Sequence, residues 1–192
     1  MKHIYTFLCL LLIGGVGQVG AFSEADLEKL KSTNECNKCD FSGANLGGAR
    51  LRGANLAEAN LTGAIFYRAN LTNAYLTGAN LYKANLEVVN LTGANLTGAN
   101  LTGANLEDTN LQEASLAGVD LTKAYLEATD LTGANLTMAN LTGAVLEGTN
   151  LENADLTDAV LTDAKLMWVK NLNKAILCRT TMPDGTVNNS GC

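Results

Sequence analysis

Few side chains in this 192-residue chain could do chemistry, and most of them are cysteines and carboxylates. Cys36 and Cys39 form a C-x-x-C, while Cys178 and Cys192 lie near the other end. A C-x-x-C can be a structural disulfide, a redox pair or part of a zinc site. Haem attachment is ruled out because Asp40 follows where His is needed, and the one His of the chain is His3. Glu87, Glu107, Glu127 and Glu147 recur at intervals of 20 residues. If the fold stacks them, they form either a solvated charged face or a weak calcium ladder, since carboxylate oxygens are the hard ligands this ion takes. No other cofactor is implied.

Catalysis finds no support in the pattern. Common hydrolytic and transfer chemistry needs a nucleophile with a base, a tuned acid pair, a metal cluster or a phosphate loop. From residue 22 on the glycines lie mostly at five-residue repeat corners, so no G-x-G-x-x-G or G-x-x-x-x-G-K run follows a strand, and the reading is that the protein is not an enzyme. Recognition is better served. Tyr125 with Val145, and Ile65 with Tyr67, place apolar groups where Asn or Thr usually stands, making two candidate partner patches. Hydroxyls recur at Ser42, Thr62, Thr102, Thr122, Thr142 and Thr162, and again at Thr77, Thr97, Thr137 and Thr157. Such arrays raise the alternative of ice or mineral binding.

What positions these residues is a five-residue repeat. From Phe41 to Leu166 a large apolar residue recurs in 26 consecutive units: Leu in 24, Phe at Phe41 and Phe66. Two residues earlier stands Ala in 20 units, and between them Asn or Asp in 18. At 3.6 residues per turn, a period of five winds around a helix without leaving an apolar face. In an extended segment Ala and Leu share a side and Asn faces out, with Thr-Gly turning the corner. The 20-residue recurrence of Glu gives four sides per coil. Six and a half coils at about 4.8 Å per step make a rod about 30 Å long. The 20-residue spacing also stacks Val89, Thr109, Thr129 and Thr149 inside, where Thr hydroxyls are expected to bond to one another up the column.

The A-(D/N)-L-x-x units resemble those of the pentapeptide-repeat family over about two thirds of the chain. The resemblance implies an all-β, right-handed quadrilateral parallel β-helix. It also brings a functional alternative, since some members are acidic rods that occupy the DNA site of gyrase.

Residues 1–21 read as a secretory signal peptide: Lys2, an apolar run from Ile4 to Ile13, and Val19-Gly20-Ala21 as a cleavage site. Removing them leaves 12 basic and 19 acidic residues, a net charge of −7, which opposes nucleic-acid binding. No stable membrane insertion is expected after cleavage. An N-terminal cap and linker is expected over residues 22–38, with Ser23 as N-cap, Asp26 in a capping box, Phe22 stapled to Leu27, and a helix from Glu24 to about Lys31. The β-helix is expected over residues 39–168. Near Met167 the repeat slips by one residue, and Trp168, the one Trp, is read as plugging the end. Residues 169–192 then form a C-terminal cap with a hairpin around Pro183-Asp184-Gly185; the resemblance likens this tail to those of exported and thylakoid-lumenal members. Disulfides need Cα atoms within about 7 Å, so a 30 Å rod permits Cys36 with Cys39 and Cys178 with Cys192. The functional reading is an exported structural or protein-interaction module, periplasmic, extracellular or lumenal, with an unknown protein partner.

Overall fold

The computed structural model describes residues 22–192; the signal peptide expected over residues 1–21 lies outside the described residues. The unit that builds the fold is a tight corner plus one extended residue. At Leu101, the Ala104 N–H donates to the Leu101 carbonyl at 3.0 Å, and Gly103 has φ 64°. Positive φ at only the third residue of such a hydrogen-bonded turn defines a type II β-turn. The same left-handed position recurs every fifth residue from Lys38 to Trp168. Glycine suits it, yet Val88 adopts it at φ 58°, a strained conformation for a β-branched residue.

Successive coils pair in parallel 20 residues apart, from Glu35 with Asn55 to Asn150 with Lys170. Four five-residue sides therefore close each coil. Each side contributes a single bridging residue, the Asn position, so the walls are ladders of isolated bridges rather than long strands. After Lys170 the interval becomes 21, pairing Asp155 with Ile176 and Val160 with Thr181. The extra residue is absorbed in the 3-10 turn Leu172–Lys174, which places the slip a few residues beyond its expected position at Met167.

The rod is filled by stacked Leu and Ala, with Phe41 and Phe66 taking two Leu places. Thr109, Thr129 and Thr149 are buried among them, but their hydroxyls do not bond to one another. They donate to the carbonyls of Leu86, Leu106 and Leu126 at 2.6–2.7 Å. A carbonyl has two lone pairs. The corner N–H takes one, as Val89 does at Leu86, and the Thr of the next coil takes the other.

Helix α1, Glu24–Thr33, covers the first coil and runs two residues further than expected. Ser23 caps it by accepting from the Asp26 N–H at 3.2 Å, and Leu30 is buried beneath it, with Phe22 and Leu27 packed against the core. The Asp26 carboxylate does not complete a capping box. It accepts from the backbone N–H of Asp40 at 2.9 Å, while the Ser23 N–H donates to the Asp40 carbonyl at 3.1 Å. Together they occupy the edge groups that a preceding coil would have paired, which is how a solenoid end avoids an open edge. A disulfide joins Cys36 to Cys39 at this end, both buried.

At the other end β1, Thr180–Thr181, pairs antiparallel with β2, Val187–Asn188, around the Pro183-Asp184-Gly185 turn. The Cys178–Cys192 disulfide holds the terminus back against the last coil. Gly191 lies so close to Ile176 and Leu177 that a Cβ there would meet the Leu177 nitrogen at 2.5 Å. Arg179 grips Asp158 of the coil below through two hydrogen bonds of 2.6 Å. Trp168 takes no part in closing the end. It is 76% exposed, because its corner position, at φ 53°, directs the side chain away from the coil. Val169, Leu172 and Ala175 pack against the core there. No helix among the described residues is long and apolar enough to cross a membrane.

Candidate interaction surface

The outward Asn and Asp side chains do more than meet solvent. At all 18 Asn and Asp positions of the repeat Oδ1 accepts the backbone N–H two residues on, as Asn105 does from Glu107 at 3.0 Å. This is the Asx-turn geometry that makes Asn a turn residue. Thr hydroxyls are drawn into the same arrangement. Thr122 and Thr142 donate to Asp120 and Asn140, and Thr62 and Thr122 accept from Asn80 and Asn140 at 2.9 Å. Four of the ten hydroxyls in the two arrays, those of Thr62, Thr97, Thr122 and Thr142, are held by neighbouring side chains in this way.

Asp130 is the most heavily bonded of these carboxylates. Burial pushes its pKa up, but donation from the Thr132 hydroxyl, the Gln112 amide, the Thr132 N–H and the Asn150 amide outweighs it and holds the carboxyl below its usual value. The ionised form thus favours folding above the ordinary carboxylate range, and that benefit is lost as pH falls through the lowered folded value. Asp130→Asn should therefore melt below the parent at neutral pH but alongside it in acid, once the pH has fallen through that lowered value. Thermal melts of both proteins at neutral and acid pH check this.

The side of the coil that carries the Glu residues has the most varied surface. Backbone bonds from Gly48 to Tyr67, Arg68 to Glu87, Val88 to Glu107, Asp108 to Glu127, Ala128 to Glu147 and Gly148 to Met167 stack these corners in one column. The column reads Tyr67, Glu87, Glu107, Glu127, Glu147, Met167. Beside it runs an outward column with Ile65 near one end, 40% exposed, and Tyr125 near the other, 51% exposed; Tyr125 bridges directly to Val145. Trp168 stands next to Met167. Both partner patches read from the sequence therefore lie on one side, and Met167 and Trp168 extend the second. Sequence reasoning missed those two because the interior of the rod end was the expected place for a lone Trp.

The charges on this side are not balanced by their neighbours. Lys83 and Lys123 stand four residues before Glu87 and Glu127 but make no ion pair with them, and the Lys83 ammonium lies 5.1 Å from the Tyr82 ring centroid. The ion pairs among the described residues involve Glu28, Glu58, Glu152 and Asp158, none from this column. Four residues separate Lys from Glu across a corner, which turns the two side chains onto different sides of the rod. Nor do three of these carboxylates converge. Among the described residues, the one group of three ligating atoms within 4.8 Å is Asp26, Cys36 and Cys39, whose cysteines are joined as a disulfide. Calcium held by the column would have to bind two neighbouring carboxylates at a time.

The model of the pentapeptide repeats matches residues 35–73, 69–108, 99–137, 109–148 and 134–170. The chain belongs to the pentapeptide-repeat family. Among solved structures it is similar to Rfr23, a pentapeptide repeat protein from the cyanobacterium Cyanothece 51142, at 30% identity over 73% of this chain and 97% of that one, TM-score 0.57. HetL, a pentapeptide repeat protein involved in heterocyst differentiation regulation from the cyanobacterium Nostoc, is 32% identical over 80% of this chain and 83% of that one, TM-score 0.33. A trypsin-treated form of QnrB1, a plasmid-mediated fluoroquinolone resistance protein, shares the fold at 23% identity over 73% of this chain and 75% of that one, TM-score 0.56. No curated protein matches the chain.

Proposed function

We propose that this pentapeptide-repeat protein is an exported, non-catalytic interaction module, a right-handed rod that presents side chains in columns to a protein partner outside the cytoplasm. The observation that carries the reading is the single side on which Ile65, Tyr67, Tyr125, Val145, Met167 and Trp168 replace Asn, Thr or Gly. Scattered apolar groups on a surface are ordinary. Five of the eleven exposed large apolar side chains among the described residues lie on this side, Ile65, Val88, Tyr125, Met167 and Trp168, and aromatic residues and Met are types enriched at protein interfaces. Export rests on the signal-like sequence of residues 1–21 and on the two disulfides, which persist in oxidising compartments.

Tyr125→Ser is expected to weaken a partner complex recovered from the native extracytoplasmic compartment by about tenfold or more, the cost of a typical aromatic hot spot. Quantitative pull-down with the parent and the variant measures it. An unchanged complex would remove this side from consideration. A second reading draws on charge: residues 71–164 hold 12 acidic and 2 basic residues, a field suited to occupying the DNA site of an enzyme such as gyrase. A gyrase supercoiling assay separates the two.

A further inference from the structure

Resting on that interaction reading, we infer that the Glu-bearing side receives a basic amphipathic α-helix laid along the rod. The column Glu87, Glu107, Glu127, Glu147 is without ion pairs, and one oxygen of Glu127 is shielded from water with no hydrogen-bond partner. The four side chains are half-buried or exposed, so a partner's cations can reach them and make charge-assisted hydrogen bonds. The apolar neighbours lie on the same side, with Tyr125 and Val145 beside the column and Met167 with Trp168 at its end. The complementary partner therefore carries positive charge in one stripe and apolar groups in the next.

Spacing selects the partner's secondary structure. Carboxylates one coil apart are separated by about 4.8 Å along the rod. An extended partner puts same-face side chains about 6.8 Å apart and is a whole rung out of step after about three contacts. A helix offers one same-face residue every three to four positions, about 5.3 Å apart at 1.5 Å rise per residue. Across the four carboxylates, about 16.5 Å from i to i+11 stands against about 14.4 Å on the rod, a mismatch of about 2.1 Å that lies within the reach of a flexible Lys stem. Lys or Arg at i, i+4, i+7 and i+11 meets the Glu column, and Leu at flanking positions rests on Tyr125 and Val145. From Glu87 to Met167 is four coil steps, about 19 Å, which about 13 helical residues span.

The probes are two Trp-free synthetic peptides of identical composition, about 18 residues long and of high helix propensity. One has its Lys residues in the i, i+4, i+7, i+11 stripe beside a Leu stripe; the other distributes them around all faces. Each is titrated into the disulfide-bonded protein while the emission of Trp168 is followed, with calorimetry in parallel. The striped peptide is expected to bind, to shift Trp168 emission to the blue, and to weaken about tenfold against Glu107→Gln with Glu127→Gln, the loss of two ion pairs that an apolar contact partly shields. Rising salt should weaken it further. Melting of the Gln variant confirms that the rod is folded. Equal binding of the two peptides, binding unaffected by the Gln pair, an unmoved Trp168 signal at saturation, or no binding at millimolar peptide would each overturn the inference. None of those outcomes touches the broader reading, which stands or falls on the Tyr125→Ser complex.

Discussion

Leu106→Ala is expected to destabilise the rod by about 2–5 kcal/mol, the range for truncating a buried leucine. Leu106 is fully buried in mid-rod, with its own kind directly above and below at Leu126 and Leu86, so the walls cannot collapse into the gap without shortening ladder bonds that are already 2.7 Å. The opposite change at the adjoining inward position, Ala104→Leu, should cost about 1–3 kcal/mol by overpacking. Thr102→Lys, on the corner outside the same coil, should stay within about 0.5 kcal/mol. Chemical denaturation of the three variants beside the parent gives the ranking directly. Equal stabilities for all three would mean that the inward and outward assignments are wrong.

The second large effect belongs to the C-terminal disulfide. Cys178→Ser with Cys192→Ser removes a crosslink that closes a loop of about 15 residues, and should cost about 3 kcal/mol. Since a solenoid coil touches only its neighbours, the loss should be local. Hydrogen exchange is expected to quicken over residues 158–181, where the Leu161 N–H is bonded to the Thr181 carbonyl and the Asp158 N–H to the Cys178 carbonyl. Amides of the coils around Leu101 should exchange as in the parent. Uniform acceleration along the whole rod would show that the end is coupled to the middle more tightly than nearest-neighbour stacking allows. Acid should loosen the same end, because the Arg179 guanidinium holds the Asp158 carboxyl below its usual range. That contribution is present above the unfolded carboxylate value and fades as pH falls through the folded one.

Side-chain patterning made much of this molecule readable in advance, and the reasons are specific. Glu107 and Glu127 stand 20 residues apart because four corners close a coil, and that count placed Tyr125 over Val145 before any coordinates. Hydrophobic period alone separated Leu106 from Thr102. What stayed hidden depended on backbone groups that a sequence does not display. The Thr109 hydroxyl goes to the Leu86 carbonyl because the turn leaves one lone pair of that carbonyl free. Asp26 leaves its own helix because the first coil offers an unpaired N–H at Asp40, which is nearer to hand than a capping box. Trp168 was misplaced for a related reason. Apolarity argues for the interior, but the φ of the fifth-residue corner decides the direction of the side chain, and at that corner it points out.

The closure of each coil by four equal sides makes the exterior of this rod a matter of counting. Leu occupies the same inward place in every unit, so removing five residues from one coil in the middle leaves each column filled while turning everything beyond it through a quarter of a revolution. A deletion of five between residues 69 and 124 would carry Tyr125 and Val145 round to another side from Ile65 and Tyr67. A deletion of 20 would keep them in line and merely bring them one step nearer. Length and azimuth are thus adjustable independently, by whole coils and by single sides, and descendants of such a chain can re-aim a recognition surface without designing a new core.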